Sequence, residues 1–157
     1  MLPPYEGLTT PLSELPVDVE TVSTVEEEVS ESGVEELPFT EEHSFEVLLP
    51  PIAYYFPDTP VLPVLTGDTS EATVGAVQQL LEYLEETSDA AEPGGTAVLI
   101  TSNVTGDLDL ENAEAHKELL LEELTGREIS SPQWSGEFLN LTRSGKISPC
   151  GAAAIAA

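Results

Sequence analysis

The sequence predicts an α+β domain: a mixed, mostly antiparallel β-sheet with two helices packed on one side. Two observations lead there. Apolar, β-branched runs bounded by Pro and Gly recur along the chain, and two longer stretches space their apolar residues at helical intervals. Their order, strands, helix, strand, helix, strand, suits helices covering one face of a sheet. At 157 residues the chain is of single-domain size.

Pro3, Pro4, Pro11 and Pro16 make residues 1–16 a Pro-rich N-terminal arm, of the kind that lies on a neighbouring subunit. Val17, Val19, Val22, Val25 and Val29 supply β-branched residues among acids and predict one or two strands. The acidic stretch from Glu26 to Glu36 is expected to be loosely ordered, with a turn at Ser32-Gly33. Residues 44–56, SFEVLLPPIAYYF, are the most apolar run. Because Pro50-Pro51 rules out a central paired strand, a strand to Leu49, a bend and a short strand from Ile52 to Phe56 are expected. The Tyr54-Tyr55-Phe56-Pro57 cluster is placed in the core or at an inter-subunit contact, and another Pro-punctuated strand at Val61 to Leu65.

A helix begins after Gly67-Asp68-Thr69-Ser70, with Asp68 capping and Glu71 reaching back. Val74, Val77, Leu81 and Leu84, with Leu80 beside them, form its apolar stripe. Pro93-Gly94-Gly95 makes a loop, and Ala97 to Val104 is expected as a buried strand. The second helix runs from Leu110 to Leu124, capped by Asp109 and stopped at Gly126, with Ala113, Leu120, Leu121 and Leu124 on one side. A strand from Glu137 to Ile147 closes a single α+β domain over residues 17–147. Residues 148–157 form a small-residue C-terminal tail.

The charge pattern is a statement about solvent. Thirty carboxylates face four basic residues, Lys117, Arg127, Arg143 and Lys146, for a formal charge of -26. A compact globule of this length has a radius of roughly 19 Å. Its self-repulsion is about 70 kcal/mol unscreened, roughly 20 at physiological salt and roughly 10 at 1 M. Even part of that difference rivals the ~5–15 kcal/mol that holds a domain together. A halophilic setting follows, although Glu outnumbers Asp by 24 to 6. With so few Lys and Arg to neutralise phosphates, direct nucleic-acid binding is not expected. Nor is a membrane partner: the residues after Met1 lack the pattern of a secretion signal, and the run from Gly151 to Ala157 is too short to span a bilayer. Bulk salt cations are the expected small partners.

No catalytic constellation emerges, so no catalytic, cofactor-binding or metal residue is assigned and a non-enzymatic role is expected. His43 and His116 are the only histidines, and no motif of the G-x-S-x-G kind marks a nucleophile for either. Asp107, Asp109, Glu111 and Glu118 fall at positions 1, 3, 5 and 12 of a calcium-loop pattern. Asn112 occupies the place of its turn-making glycine, and helix capping accounts for the acids. Asn103-Val104-Thr105 and Asn140-Leu141-Thr142 match the glycosylation pattern but fall in or beside expected strands. Cys150, the single cysteine, excludes an internal disulfide. Arg127, Arg143 and Lys146 could form a small basic patch near the last strand, read as a solvated or salt-bridged surface in preference to a docking site for an acidic partner.

The element order from Val17 to Ile147 resembles the small baseplate or tail-hub adaptor proteins of tailed viruses. Tyr55-Phe56-Pro57, the helix from Ser70, the strand ending Thr101-Ser102-Asn103-Val104 and the run Phe138-Leu139-Asn140-Leu141-Thr142-Arg143 stand in the places of that family's elements. The resemblance implies a non-enzymatic structural virion protein of a halophilic tailed virus. Its partners would be other tail subunits and copies of itself in an oligomeric ring, with the arm and tail as contacts. Two alternatives remain open: an acidic DNA mimic that blocks a nucleic-acid-binding protein, and a soluble halophilic enzyme with a site of scattered acids around Asp107 and Glu111.

Overall fold

The computed structural model describes residues 1–41, 43–87, 95–102, 110–125, 132–144, 149 and 152–157. The fold is mainly helical, and this corrects the expected α+β class. Among the described residues there are seven helices and one sheet, which has only two short strands. The chain divides into two compact units, Met1–Leu65 and Thr66–Ala157.

Unit 1 opens with a hairpin. Strand β1, Gly7–Thr9, pairs antiparallel with β2, Glu14–Pro16, in the register Leu8 to Leu15. Thr10 closes the turn: its hydroxyl oxygen accepts from the backbone N–H of Leu12 at 3.1 Å and of Ser13 at 3.0 Å. The Pro-rich segment is tied down on both sides. The backbone N–H of Leu2 donates to the Gly33 carbonyl at 2.8 Å, the Met1 amine donates to the Leu65 carbonyl at 2.9 Å, and Val17 bridges to Val61. Burial holds the Met1 amine below its ordinary pKa, opposed in part by the Glu35 carboxylate. Leu2, Pro3 and Leu15 are fully buried. Residues 1–16, the expected Pro-rich arm, therefore make these contacts within their own unit.

The valine-rich stretch is a helix, α1, Val19–Glu28, rather than strands. Its buried residues Val22 and Val25, with Val29 just beyond, recur at intervals of three and four, which is helical spacing. Asp18 caps it, accepting from the Thr21 N–H at 3.0 Å and the Thr21 hydroxyl at 2.8 Å. Past α1 the chain turns through Glu31 at a φ of 62°, and the Ser32 hydroxyl donates back to the Val25 carbonyl at 3.0 Å. Losing such a cap costs about 1 kcal/mol. Asp18→Ala is thus expected to speed amide exchange at Val22 and Val25 about fivefold, whereas unchanged rates would show that packing alone holds the helix.

Two short helices complete unit 1: α2, Leu37–Glu41, and α3, Leu49–Tyr55. Pro50 and Pro51 fall in the first turn of α3, where backbone N–H groups have no helical acceptor and a fixed φ is an advantage. The prolines thus start a helix at the place where a bend between two strands was expected. Of the strand expected at Val61 to Leu65, only the Val61 bridge is present.

Unit 2 is built on α4, Glu71–Thr87, α5, Leu110–Thr125, α6, Pro132–Arg143, and α7, Ala152–Ala156. At the start of α4 the Ser70 hydroxyl oxygen accepts from the Thr73 N–H at 3.2 Å, while Asp68 accepts from the Ser70 N–H at 3.1 Å and from the Thr73 hydroxyl. Those bonds, the Thr73 one foremost, hold the Asp68 carboxyl below its usual pKa. The core joins Val74, Leu120, Trp134, Phe138, Leu139, Ala152 and Ala156. Trp134 and Phe138 stack at 5.0 Å, and the Trp134 indole N–H donates to the Glu123 carbonyl at 3.0 Å.

The final expected strand, Glu137 to Ile147, is helical in α6 as far as Arg143, because Trp134 and Phe138 lie four residues apart and reach the core together; residues 145–147 lie outside the described residues. The described part of the other expected strand, residues 97–102, has no regular secondary structure. Its apolar residues Val98, Leu99 and Ile100 are exposed rather than buried. At the C-terminus Ala152 and Ala156 are buried, and the Ser135 hydroxyl donates to the Ala156 carbonyl at 2.6 Å.

Candidate functional site

The most distinctive surface in unit 1 stands at the end of α3. Leu49 and Ala53, one helical turn apart, are buried and turn that face of the helix inward. Tyr54, Tyr55 and Phe56 are left at 69%, 70% and 60% exposure. The core, one of the two places expected for this cluster, is therefore excluded, and the rings form a solvent-facing ledge on this chain. The Phe56 N–H closes the helix on the Ile52 carbonyl at 2.7 Å, and the Thr59 N–H donates to the Phe56 carbonyl at 3.1 Å, so the backbone under the rings is held from both sides.

The rings have a defined geometry. Tyr54 and Tyr55 meet edge to face, centroids 4.9 Å apart and planes at 89°, and Phe56 lies 6.5 Å from Tyr55 at 54°. A perpendicular pair forms a corner whose walls carry the negative π face of an aromatic ring. The surrounding charge has the same sign. Residues 1–65 contain 14 Asp and Glu and no Lys or Arg, and Asp58 is two residues past Phe56. The exposed carbonyl end of α3 adds further negative potential.

The titratable groups singled out in the sequence are divided between the two units. His43 pairs with Glu46 at 3.1 Å on the surface of unit 1, whereas His116 lies half-buried on α5 of unit 2. Glu111 and Glu118 are exposed on α5. Asp107 and Asp109, their partners in the calcium-loop pattern, lie outside the described residues, as do Cys150, Arg127, Lys146 and the Asn103-Val104-Thr105 pattern. Among the described residues no group of three or more His, Cys, Asp or Glu could hold a metal ion. Lys117 pairs with Glu114 at 2.8 Å, which raises its pKa through that hydrogen bond. Arg143 donates to the Thr69 carbonyl at 2.6 Å and so fastens the start of α4 rather than offering a docking charge. Asn140-Leu141-Thr142 is helical, with the Thr142 hydroxyl donating to the Phe138 carbonyl. No described helix is long and apolar enough to cross a membrane.

The ledge was within reach of sequence reasoning. Two prolines followed by an aromatic triplet is a helix start with large rings at its end, once the prolines are taken as the first turn.

No curated protein and no solved structure matches the chain. A family model does, described as Memo-like protein, over residues 4–103. This overturns the resemblance to viral tail and baseplate adaptors, and with it the structural virion role and the virion location. The structure removes that resemblance's physical basis too, since α3 and α6 occupy two of the places where it needs strands. Most of the chain, including all of α1 to α4, lies within the family match, and the chain belongs to the Memo-like protein family.

Proposed function

We propose that this chain is a non-enzymatic binding protein that engages a partner protein through the aromatic ledge of unit 1. The observation that carries the reading is the exposure of three consecutive aromatic residues on a helix end held by its own hydrogen bonds. Large rings presented this way give contact area at small entropic cost, and aromatic residues concentrate at the centres of protein interfaces. Of the alternatives open at the outset, the acidic DNA mimic is the nearer to this reading, since it too binds a protein without catalysis. The scattered-acid enzyme gains nothing from it, since Glu111 stands exposed on a helix surface.

Selection of random peptides on the wild-type chain, followed by binding to a Tyr54→Ala/Tyr55→Ala/Phe56→Ala variant, tests the proposal. Selected peptides are expected to lose at least about tenfold in affinity for the variant, as removal of interface hot spots does. Peptides that bind the variant as well as the wild type would overturn it. Because the three side chains are mostly exposed, the variant is expected to keep the far-UV circular dichroism and melting curve of the wild type.

A further inference from the structure

We infer that the ligand of this ledge is a basic protein segment, with an Arg or Lys cation seated in the corner between the Tyr54 and Tyr55 rings. This rests on the binding role proposed above and adds the chemistry of the partner. An aromatic face attracts a cation within about 6 Å of its centroid, and rings set at right angles offer two such faces to one guest. The Tyr54–Tyr55 pair, at 89° and 4.9 Å, provides that shape, and both rings are open to solvent.

Charge selects the same guest. Unit 1 has 14 carboxylates and no Lys or Arg, so its carboxylates have no internal Lys or Arg competing with a ligand's cation. The carbonyl end of α3 and the nearby Asp58 add to the field around the corner. A second copy of this chain is a poor occupant, since two bodies of charge -26 repel. An acidic or phosphorylated segment fails for the same reason. A basic segment gains from both the long-range field, which speeds encounter, and the rings, which fix where it stops.

Long-range attraction alone would draw any cation, so the test separates the two contributions. The probe is a short glycine-serine peptide carrying two arginines, compared by calorimetry at about 0.15 M salt with its citrulline counterpart, which keeps the shape and loses the charge. Tyr54→Leu/Tyr55→Leu keeps an apolar surface and removes the π faces, whereas Glu26→Gln/Glu27→Gln removes two charges from α1 and leaves the ledge alone. The arginine peptide is expected to bind more tightly than the citrulline peptide. The leucine variant is expected to weaken it about 5- to 30-fold, from two exposed cation–π contacts, and the glutamine variant by no more than about twofold, as exposed charges that pair weakly do.

If the leucine and glutamine variants lose affinity equally, or the leucine variant loses none, binding is diffuse charge attraction and the inference fails. If the citrulline peptide binds as tightly as the arginine peptide and both depend on the ledge, the cation is wrong while the binding role stands. If neither peptide binds, the inference is overturned, and the peptide selection decides separately whether the binding role survives.

Discussion

Phe138→Ala is expected to unfold unit 2 or leave it barely folded at room temperature. Phe138 has no exposed surface, stacks on Trp134 and sits among Leu120, Leu139, Val74 and the two C-terminal alanines. Removing a buried phenylalanine costs about 3–5 kcal/mol, comprising the lost transfer energy and the cavity left behind. Net stability of a domain is only ~5–15 kcal/mol, and among the described residues of unit 2 few other large side chains are buried in this core to absorb the loss. The chain's single tryptophan is Trp134 itself, so its fluorescence reports on this core directly. The emission of the variant should be red-shifted at low urea, or its unfolding midpoint should fall sharply. A loss of unfolding free energy below about 1 kcal/mol would mean that the helices of unit 2 do not share this core.

The second large effect is that of salt. With -26 charges in a chain of this size, screening between 0.15 M and 1 M relieves about 10 kcal/mol of repulsion in a compact body. The unfolded chain is relieved as well, so a gain in stability of several kcal/mol is the expected net. Few internal pairs offset the repulsion, since only four side chains carry a permanent positive charge. Sodium chloride at 1 M should therefore raise the urea midpoint of the Trp134 transition well above its value in dilute buffer. Sucrose, which favours the folded state by exclusion and screens nothing, serves as the control. Equal stabilisation by the two, or none by salt, would show that the carboxylates are spread too thinly for their repulsion to matter.

Helix α4 could be read from the sequence because its caps and its spacing agree: Ser70 and Asp68 stand before a stripe in which Val74, Val77 and Leu80 are buried. Where the two kinds of signal conflicted, propensity misled. Val22, Val25 and Val29 are β-branched, which favours strands in general, yet their intervals of three and four fit only a helix face. Pro50-Pro51 is a barrier in a strand and an opening in a helix, and choosing between these requires knowing which residues follow inward. The same choice decides the ledge. Read as a strand, Tyr54, Tyr55 and Phe56 alternate faces and at least one is buried; on a helix anchored by Leu49 and Ala53, all three are exposed. The net charge needs no such decision and was fully readable. A ring corner, by contrast, depends on side-chain geometry that spacing does not encode.

The most direct test of the ledge as the binding surface is aromatic-ring NMR of the whole chain during titration with the two-arginine peptide. The chain has four tyrosines, Tyr5, Tyr54, Tyr55 and Tyr83, and only two of them form the corner. Saturable shifts at the ring resonances of Tyr54 and Tyr55, with Tyr5, Tyr83 and Trp134 unmoved, are the predicted result. Equal movement at all of these rings, or saturation with Tyr54 and Tyr55 unshifted, would contradict it.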